Sequence, residues 1–599
     1  MSSVTPTTNS SLPFCRAEFE TISEGLDYAA RGETGCNFFT SRGELVRALP
    51  YGEVRDRAVD LARSFNKAGL QRGERLAIIA ETTPDFLFFF YACQYAGLTP
   101  VPLPLSVNLG GRDAYVARLH NMMSRARVRV AVASQDLIGF LREAAEGLGI
   151  DWLGTPEDFY ALPNEGGDLA PLGKDDPCYI QYSSGSTSLP RGVLVTQRAI
   201  TSNVRGTGQT GLDLRVGDRS AAWLPLYHDM GLVGFCISPA MNQVTVDYLS
   251  SASFARRPLV WLKILSDYGG TITFSPTFGY ELCARLAGRI DAGQFDLSPL
   301  RIAGIGGEMV RPSVMRDFAE GLAKCGFDAH AFLPCYGLAE STLAVSFAPL
   351  GRGMEVDCVS RDAYERSAIA VPASEKGNGG AEETRSFVKC GVPLPGHRVE
   401  IRDENNEPLP DRRIGWVCIS GPSLMQGYDS DEEATRDAFT PDGWLNTGDM
   451  GYMVDGELVI TGRSKDLIIV NGRNIWPQDL EWAIESQCAL GPGHVAAFSV
   501  DDEDGKERVV VLVECRLKEA EAQQTLRRRV SGVVMTMAGV GGEIVLAPPR
   551  SLTFTSSGKL SRAAAKADHL GEVIKDIAGD LDSPALSEPV VSLAAGASK

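Results

Sequence analysis

Short apolar runs alternate with amphipathic segments along most of the chain. Runs rich in β-branched or aromatic residues predict strands at 75–81, 128–134, 271–276 and 300–307. The spacing of apolar residues over 51–69 predicts a helix, and strands separated by helices favour α/β layers around a largely parallel sheet. Sequence patterns typical of strands and turns are then closely spaced over 391–462, which predicts a small β-rich subdomain. A βα pattern resumes near Asp466.

The run 86–105 contains no charged residue and is long enough to span a bilayer. Gly97 and the prolines at 100, 102 and 104 would interrupt a helix in its second half. We therefore predict a buried helix that runs into a buried strand, and no stable membrane insertion.

Two segments lack the alternating pattern. Residues 351–385 include SEKGNGGAEE, which predicts an inserted and partly mobile segment. From about 576 the chain is small, polar and without periodicity, which is typical of disorder. We predict a large N-terminal domain (1–464), a small C-terminal domain (465–575) and a disordered tail (576–599).

Composition excludes several classes of protein. With 599 residues and 44% apolar residues, the chain has to divide its core among domains. A net charge of −18 opposes a broad nucleic-acid or anionic-lipid surface, so we expect no nucleic-acid partner. Thirteen cysteines without a CxxC pair, no HExxH motif and no secretory signal at the N-terminus indicate a cytoplasmic protein without a zinc cluster.

The segment YSSGSTSLPRGV (182–193) is a candidate phosphate-binding loop. Glycines allow a tight turn whose amides converge on phosphate oxygens, and hydroxyl groups add donors without bulk. Taken alone, a solvated Gly/Ser loop explains this segment equally well. No GxxxxGK[ST] motif is present, which disfavours a P-loop kinase.

Three further segments place a charged residue beside a glycine turn. CYGLAES (335–341) carries Glu340, WLNTGDMGY (444–452) carries Asp449, and TSSGKLSR (555–562) carries Lys559. Each is a weak signal alone, because Glu340 could simply be a carboxylate at a helix start, Asp449 a turn-forming aspartate and Lys559 a surface lysine. Their occurrence together and in this order is a strong one.

This order of motifs resembles the adenylate-forming superfamily of acyl-CoA synthetases, peptide-synthetase adenylation domains and luciferases, over about 20–570. WLPLYHDMGLVG (223–234), GIGGEMV (304–310) and ITGRSKDLIIVNGRNIWPQDLE (460–481) extend the match. The resemblance implies a large domain of layered α/β subdomains with a small β-rich subdomain, followed by a small, mobile α+β domain. Arg191 stands where the superfamily loop usually has lysine, which keeps the charge and changes its geometry.

Within the superfamily the chain is most similar to the fatty acyl-AMP ligases. LPLYHDMGLVG and NGRNIWPQDLE look like that branch's versions, and Ala339 stands where most relatives have threonine. The separation between Glu340 and Gly391 is longer than relatives without an insertion need. In that branch an insertion at this point is associated with refusal of coenzyme A.

The resemblance implies a reaction with ATP and Mg²⁺ in two steps. A fatty acid becomes an acyl adenylate with release of pyrophosphate, and the acyl group then passes to the phosphopantetheine thiol of an acyl carrier protein. Such enzymes serve polyketide, nonribosomal-peptide or lipid biosynthesis. No carrier domain follows the small domain, so the carrier would act in trans, and we expect a monomer or weak dimer. LRRRV (526–530) is a candidate docking island for an acidic carrier, although a solvated helix face is the simpler interpretation.

The resemblance also implies roles for particular residues. Lys559 would bridge the carboxylate and the α-phosphate, His228 would lie near the acyl carboxylate, and Glu340 would bind magnesium. The predicted nucleotide pocket comprises Ser183, Ser184, Gly185, Ser186, Thr187, Arg191, Gly306, Gly307, Glu308, Tyr336, Gly337, Ala339, Ser341, Asp449 and Arg463. The predicted acyl pocket comprises Met230, Gly231, Pro276 and Phe278, and the predicted hinge is Lys465.

Two alternatives remain open at this point. A fatty acyl-CoA ligase would share every adenylation residue, and only the acceptor separates it from an acyl-AMP ligase. A catalytically silent nucleotide or lipid sensor on the same fold is compatible with Arg191 and Ala339, whereas Lys559, Glu340 and Asp449 argue against it.

Overall fold

The computed structural model describes residues 12–105, 111–183, 190–373, 384–470, 473–501, 507–555 and 559–578. It divides the chain into two compact units. The larger comprises Met1–Leu467, Gly472–Asn474 and Phe554–Lys559; the smaller comprises Ile468–Asn471, Ile475–Thr553 and Leu560–Lys599. The predicted domain boundary at 464/465 lies close to the main division, between Leu467 and Ile468.

A nine-stranded sheet forms the centre of the larger unit. Its strands, in spatial order, are Val392–Pro393, Ala344–Phe347, Phe332–Gly337, Ile302–Ile305, Ile272–Ser275, Arg219–Ala222, Thr245–Leu249, Gly35–Phe39 and Leu45–Pro50. The strands from Phe332–Gly337 to Gly35–Phe39 are mutually parallel, and antiparallel strands close both edges. The predicted strands near 272 and 302 are therefore confirmed as neighbours in a largely parallel sheet.

A second, fully parallel sheet has the order Thr99–Leu103, Arg75–Ile79, Val130–Val132 and Trp152–Gly154. The uncharged run forms the helix Pro84–Ala96, which ends at Gly97 with a φ of 79°, and then the buried strand Thr99–Leu103. A helix that is apolar on all sides is stable when protein surrounds it, as the burial of Phe86–Ala96 shows. Among the described residues, no helix combines the length and apolar character needed to cross a membrane.

Two antiparallel sheets complete the framework of the site. One has the order Gly427–Tyr428, Arg191–Thr196 and Pro177–Ser183. The other has the order Arg398–Arg402, Gly415–Ser420, Leu445–Val454 and Glu457–Arg463, which confirms the β-rich subdomain predicted over 391–462.

The predicted inserted segment contains the strand Val356–Ser360 and the helix Arg361–Ser367, and this strand pairs antiparallel with Thr384–Val388 in a two-stranded sheet. Tyr452 on the β-rich sheet donates a hydrogen bond of 2.7 Å from its hydroxyl to Asp357 Oδ2 on this two-stranded sheet. The stretch 374–383, which is the whole SEKGNGGAEE sequence, lies outside the described residues.

The larger unit also contains helices that cover its sheets. The α-helices are Ile22–Ala29, Tyr51–Lys67, Pro84–Ala96, Gly111–Arg125, Ile138–Ala144, Pro156–Tyr160, Gln197–Gly206, Asp229–Gly231, Ser238–Met241, Ser251–Arg256, Leu259–Asp267, Thr277–Ala284, Pro312–Leu322, Arg361–Ser367 and Glu432–Ala438. Short 3₁₀ turns lie at Ala287–Arg289, Ala323–Cys325, Ala329–Ala331, Ala339–Ser341 and Ser464–Asp466, and π-helical turns at Thr207–Gly211 and Leu232–Ile237.

The smaller unit has its own α+β core. Two short strands, Ile468–Val470 and Arg473–Ile475, lie at the division between the units. The sheet of the smaller unit has the order Val495–Asp501, Glu507–Glu514 and Gly542–Ala547, and its helices are Pro477–Gln487, Ala520–Ala538 and Arg562–Leu570. The predicted tail lies outside the described residues from 579 onward. The thirteen cysteines, all within the described ranges, are free thiols.

Candidate active site

The predicted phosphate loop connects two paired strands. Ser183 ends the strand Pro177–Ser183 and lies opposite Arg191, the first residue of the next strand. Ser184, Gly185, Ser186 and Thr187 lie outside the described residues. The guanidinium carbon of Arg191 lies 5.2 Å from the ring centroid of Tyr428, a distance at which a cation is attracted to an aromatic face.

A tight turn after the strand Phe332–Gly337 presents Glu340. A Cβ on Gly337 would lie 1.9 Å from the carbonyl oxygen of Leu343, so only glycine fits there. The 3₁₀ turn Ala339–Ser341 follows, and Thr342 then adopts a φ of 66°, a region that non-glycine residues rarely occupy. Ala339 and Ser341 are both buried, so the turn is anchored on both sides of Glu340.

The carboxylate of Glu340 has an aromatic partner. The hydroxyl of Tyr428 donates a hydrogen bond of 2.9 Å to Glu340 Oε1. Burial raises the pKa of Glu340, while the hydrogen bond from Tyr428 and the charge of Arg463 act in the opposite direction. Sequence reasoning did not identify Tyr428, because nothing in the chemistry of a tyrosine far along the chain marks it as a neighbour of Glu340.

Asp449, Tyr336 and Arg463, all predicted for the nucleotide pocket, lie in contact with one another. Asp449 and Arg463 are opposite each other on neighbouring antiparallel strands, and Arg463 Nε lies 3.4 Å from Asp449 Oδ1. The hydroxyl of Tyr336 donates a hydrogen bond of 2.7 Å to Asp449 Oδ2. The Asp449 carboxylate is thus oriented from two directions.

The residues Gly306, Gly307 and Glu308 join the nucleotide and acyl portions of the predicted site. A Cβ on Gly306 would lie 2.7 Å from the sulfur of Cys335, and one on Gly307, whose φ is 80°, would lie 2.9 Å from the sulfur of Met230. Glu308 Oε1 accepts a hydrogen bond of 2.9 Å from the backbone N–H of Phe278. Burial raises the pKa of the Glu308 carboxyl.

The predicted acyl-pocket residues lie on both sides of these glycines. Met230 is buried, and a Cβ on Gly231 would lie 2.1 Å from the carbonyl oxygen of Pro225. Pro276 precedes the helix Thr277–Ala284, and the Phe278 ring packs edge-to-face against a tryptophan ring with 5.5 Å between centroids. Of the four predicted acyl residues, Met230 lies next to Gly307 and Phe278 next to Glu308.

His228 has an acidic neighbour that sequence reasoning missed. His228 Nδ1 lies 2.8 Å from Asp229 Oδ1, and the backbone N–H of Met230 donates to Asp229 Oδ1 at 2.7 Å. Burial alone would raise the pKa of Asp229, but the adjacent imidazole and its hydrogen bond keep this pKa below its ordinary value. The signal was present, because the aspartate follows the histidine directly in YHDMG.

Lys559 belongs to the larger unit, which includes the segment Phe554–Lys559. Its backbone N–H donates to Thr555 Oγ1 at 3.2 Å, and its carbonyl oxygen accepts from the Thr555 N–H at 2.7 Å. Burial lowers the pKa of the Lys559 ammonium and the charge of Arg463 lowers it further, whereas the carboxylates of Asp229, Glu308 and Asp449 oppose the change. Lys559 therefore experiences the charges of the predicted site.

The predicted hinge, Lys465, is exposed in the 3₁₀ turn Ser464–Asp466, just before the division at Leu467. In the smaller unit, Arg527 of the predicted docking island pairs with Asp576 at 2.5 Å. Arg528 and Arg529, on the same helix, are exposed. The basic island is thus smaller than the sequence suggests, because the charge of Arg527 is paired with a carboxylate within the unit.

Residues 36–429 match the family described as AMP-binding enzyme. The chain belongs to this family. This match covers more than half of the sequence, and it includes Arg191, His228 and Glu340. The fold and the adenylate-forming class of enzyme expected from the motifs are both confirmed.

The relatives of this AMP-binding enzyme include acyl-AMP ligases. A solved structure from a study of fatty acyl-adenylate ligases of E. coli and L. pneumophila is 39% identical, has a TM-score of 0.88, and covers 94% of this chain and 100% of its own. A Caulobacter vibrioides protein, whose name assigns it provisionally to the acyl-CoA synthetases, is 44% identical over 94% of this chain and 97% of its own length. The medium-chain-fatty-acid–[acyl-carrier-protein] ligase JamA of Moorena producens is 30% identical over 95% of this chain and 97% of its own length.

The carboxylate of Glu340 is a candidate ligand for a magnesium ion. Magnesium in nucleotide sites takes one or two carboxylates and completes its shell with phosphate oxygens and water. Glu340 offers one such carboxylate, and no cluster of three or more His, Cys, Asp or Glu side chains suited to a metal occurs within the described ranges. An ion held by protein groups alone would require more ligands than Glu340 supplies.

Proposed function

We propose that this AMP-binding enzyme is a fatty acyl-AMP ligase that delivers its acyl group to a carrier protein. The observation that carries the proposal is the arrangement of His228, Glu308, Glu340, Asp449 and Lys559 within one unit. The carboxylates of Asp229, Glu308 and Asp449 act on the Lys559 ammonium, and the apolar residues Met230 and Phe278 lie against Gly307 and Glu308. A fatty acid and ATP need those three environments side by side.

In the first step, a carboxylate oxygen of the fatty acid attacks the α-phosphorus of ATP. A new P–O bond forms, the bond to the bridging oxygen breaks, and pyrophosphate leaves. Because both reactants are anionic, positioning and charge neutralisation supply most of the acceleration. Lys559 provides the cation between carboxylate and α-phosphate, and His228, held by Asp229, lies beside the acyl carboxylate.

The nucleotide is held by groups that the chain already orients. Asp449 accepts hydrogen bonds from the ribose hydroxyls, and its contacts with Tyr336 and Arg463 keep its carboxylate in place. Arg191 and the loop after Ser183 neutralise and bind phosphate oxygens. Magnesium, when bound at Glu340, supplies additional neutralisation of phosphate charge.

In the second step, a thiolate sulfur attacks the acyl carbon and AMP leaves as the C–O bond to phosphate breaks. We propose that this thiol belongs to the phosphopantetheine arm of a carrier protein acting in trans. Rotation of the small C-terminal domain at Lys465 switches the enzyme from the first step to the second. Segment 351–385 excludes coenzyme A. The name of JamA supports a carrier acceptor. The free thiols support a reducing compartment.

An acyl-CoA ligase is the second candidate. The 44% identical relative from Caulobacter vibrioides favours it, because its name assigns it to the acyl-CoA synthetases. Both candidates share the first step, so only the acceptor distinguishes them.

The test follows every acyl species in one reaction. The purified chain is incubated with ATP, Mg²⁺ and a labelled medium-chain or long-chain fatty acid, and then chased with coenzyme A or a phosphopantetheinylated carrier protein. Acyl-AMP that passes to the carrier and not to coenzyme A is the expected result. Prompt formation of acyl-CoA would establish the second candidate, and absence of acyl-AMP would refute both.

A further inference from the structure

Tyr428 contacts two of the charged groups that the predicted site presents to the nucleotide and its magnesium ion. Its hydroxyl donates to Glu340 Oε1 at 2.9 Å, and its ring lies 5.2 Å from the guanidinium carbon of Arg191. Since Glu340 and Arg191 come from different sheets, Tyr428 is a side chain through which their positions are coupled.

The backbone of Tyr428 is fixed on the strand that carries Arg191. Tyr428 is opposite Val193 in the antiparallel pair formed by Gly427–Tyr428 and Arg191–Thr196. Its N–H donates to Thr435 Oγ1 at 2.8 Å, and the N–H of Asp429 donates to the Gly192 carbonyl at 2.7 Å. The ring therefore has little freedom to leave Arg191.

The next residue, Asp429, is anchored by a partly buried ion pair. Both oxygens of Asp429 accept hydrogen bonds from Arg75, at 2.6 Å and 3.0 Å, and the Asp429 side chain is 7% exposed. A two-point guanidinium–carboxylate contact fixes orientation as well as distance. Arg75 begins a strand of the four-stranded parallel sheet, so this contact fastens the Tyr428 strand to a third sheet.

The same segment also holds the main chain of the Glu340 turn. The N–H of Met425 donates to the Glu340 carbonyl at 2.8 Å, and Thr342 Oγ1 donates to the Ser423 carbonyl at 2.7 Å. Thr342 has the left-handed φ of 66°, and such backbone persists where neighbouring contacts determine it. Segment 423–428 thus fixes both the backbone and the carboxylate of Glu340.

We propose that Tyr428 is a positioning residue that holds the Glu340 carboxylate and the Arg191 guanidinium in register for a magnesium-bound nucleotide. The inference rests on the proposed function, in which ATP is the substrate. The hydroxyl acts on Glu340, so it affects the binding of ATP that carries magnesium. The ring acts on Arg191, so it affects the binding of ATP with or without magnesium.

The test separates the hydroxyl from the ring. Isothermal titration calorimetry measures the Kd of ATP for the full chain, with Mg²⁺ and with EDTA, in Tyr428→Phe and Tyr428→Leu. Loss of a hydrogen bond to a charged group predicts about tenfold weaker binding of Mg·ATP in Tyr428→Phe, with unchanged binding in EDTA. Tyr428→Leu is expected to weaken binding in both conditions, because Arg191 also loses its aromatic support.

Tyr452→Phe is the matched control, since it removes another tyrosine hydroxyl that donates to a carboxylate, that of Asp357, outside the predicted site. In a Glu340→Gln background, Tyr428→Phe is expected to have no further effect. A Tyr428→Phe enzyme with the wild-type Kd for Mg·ATP, equal weakening with and without magnesium, or the same loss in Tyr452→Phe would each overturn the proposal.

Two features of the titrations distinguish a change in nucleotide affinity from partial unfolding and from failure of the proposed function. Each preparation is titrated with and without magnesium, so an unfolded fraction lowers both stoichiometries and leaves the ratio of Kd values intact. No fatty acid is present, so binding that follows the expected pattern in a chain that forms no acyl-AMP would refute the proposed function and leave the role of Tyr428 in nucleotide binding standing.

Discussion

At the scale of single residues, Lys559 is subject to charges of both signs. We expect Lys559→Ala to lower fatty-acid-dependent pyrophosphate exchange by at least ~100-fold, a loss comparable to removal of one donor that stabilises transition-state charge. Binding of ATP, measured by calorimetry, should change only a few-fold. Lys518→Ala removes an exposed lysine of the smaller unit and serves as the control. A Lys559→Ala enzyme that retained most of its exchange activity would refute the assignment.

The lowered pKa of Lys559 predicts the direction in which charge-removing variants shift the pH profile of activity. Burial and Arg463 lower this pKa, and Asp229 opposes the change, so the active ammonium form is lost at lower pH than for an ordinary lysine. In the profile of kcat/KM against pH, Arg463→Gln should move the alkaline limb to higher pH, and Asp229→Asn should move it to lower pH. Glu433→Gln, an exposed charge change, should leave the limb in place. Shifts of the same sign in the two test variants would contradict this account.

Sequence reasoning selected candidate site residues where chemistry and motif coincide, and it missed residues defined by contact. Asp449 and Lys559 each follow a glycine in a recognisable segment, and in the structure Asp449 accepts a hydrogen bond from Tyr336 and its charge acts on Lys559. Tyr428 becomes part of the site only through a two-residue strand and a hydrogen bond to a carboxylate 88 positions away. Such a contact depends on strand pairing across the fold, which residue types along the chain do not encode locally.

At the scale of elements, hydrophobic periodicity predicted the main framework. The apolar run at 86–105 became a buried helix and a buried strand, because proline and glycine punctuate its second half. The order of the nine strands could not be read from the same pattern. Ile272–Ser275, Ile302–Ile305 and Phe332–Gly337 follow one another and are neighbours, but Arg219–Ala222 lies between Thr245–Leu249 and Ile272–Ser275. Where consecutive strands are separated in this way, their order depends on which faces pack rather than on local sequence.

A buried ion pair joins three strands of the central sheet. Asp247, which is 1% exposed, accepts hydrogen bonds of 2.7 Å from Arg219 and of 2.8 Å from Asn37 on the two neighbouring strands. We expect Asp247→Ala to lower the free energy of unfolding of the larger unit by about 3–5 kcal/mol, because it removes the carboxylate from a buried guanidinium.

Urea denaturation followed by tryptophan fluorescence measures this loss. The control is Asp175→Ala, which breaks an exposed pair with Arg198 and should cost at most about 1 kcal/mol. Similar losses in the two variants would mean that burial of the ion pair does not determine its contribution.

At the scale of the whole molecule, the net charge of −18 sets a condition on any acidic partner. Long-range repulsion slows the encounter of two acidic proteins unless a local basic surface offsets it. In the smaller unit, Arg528 and Arg529 are exposed on one helix, whereas Arg527 is paired with Asp576. The two exposed arginines are therefore the part of LRRRV available for docking.

We expect the double variant Arg528→Gln/Arg529→Gln to lower kcat/KM for the carrier protein roughly tenfold at low salt, with unchanged formation of acyl-AMP. The difference should shrink as ionic strength rises, since salt screens exposed charges. Arg516→Gln/Lys518→Gln makes the same charge change at exposed positions elsewhere in the smaller unit and should slow transfer much less. Equal slowing in the two double variants would show that net charge alone governs the encounter, and unchanged transfer in both would remove the helix Ala520–Ala538 as a docking surface.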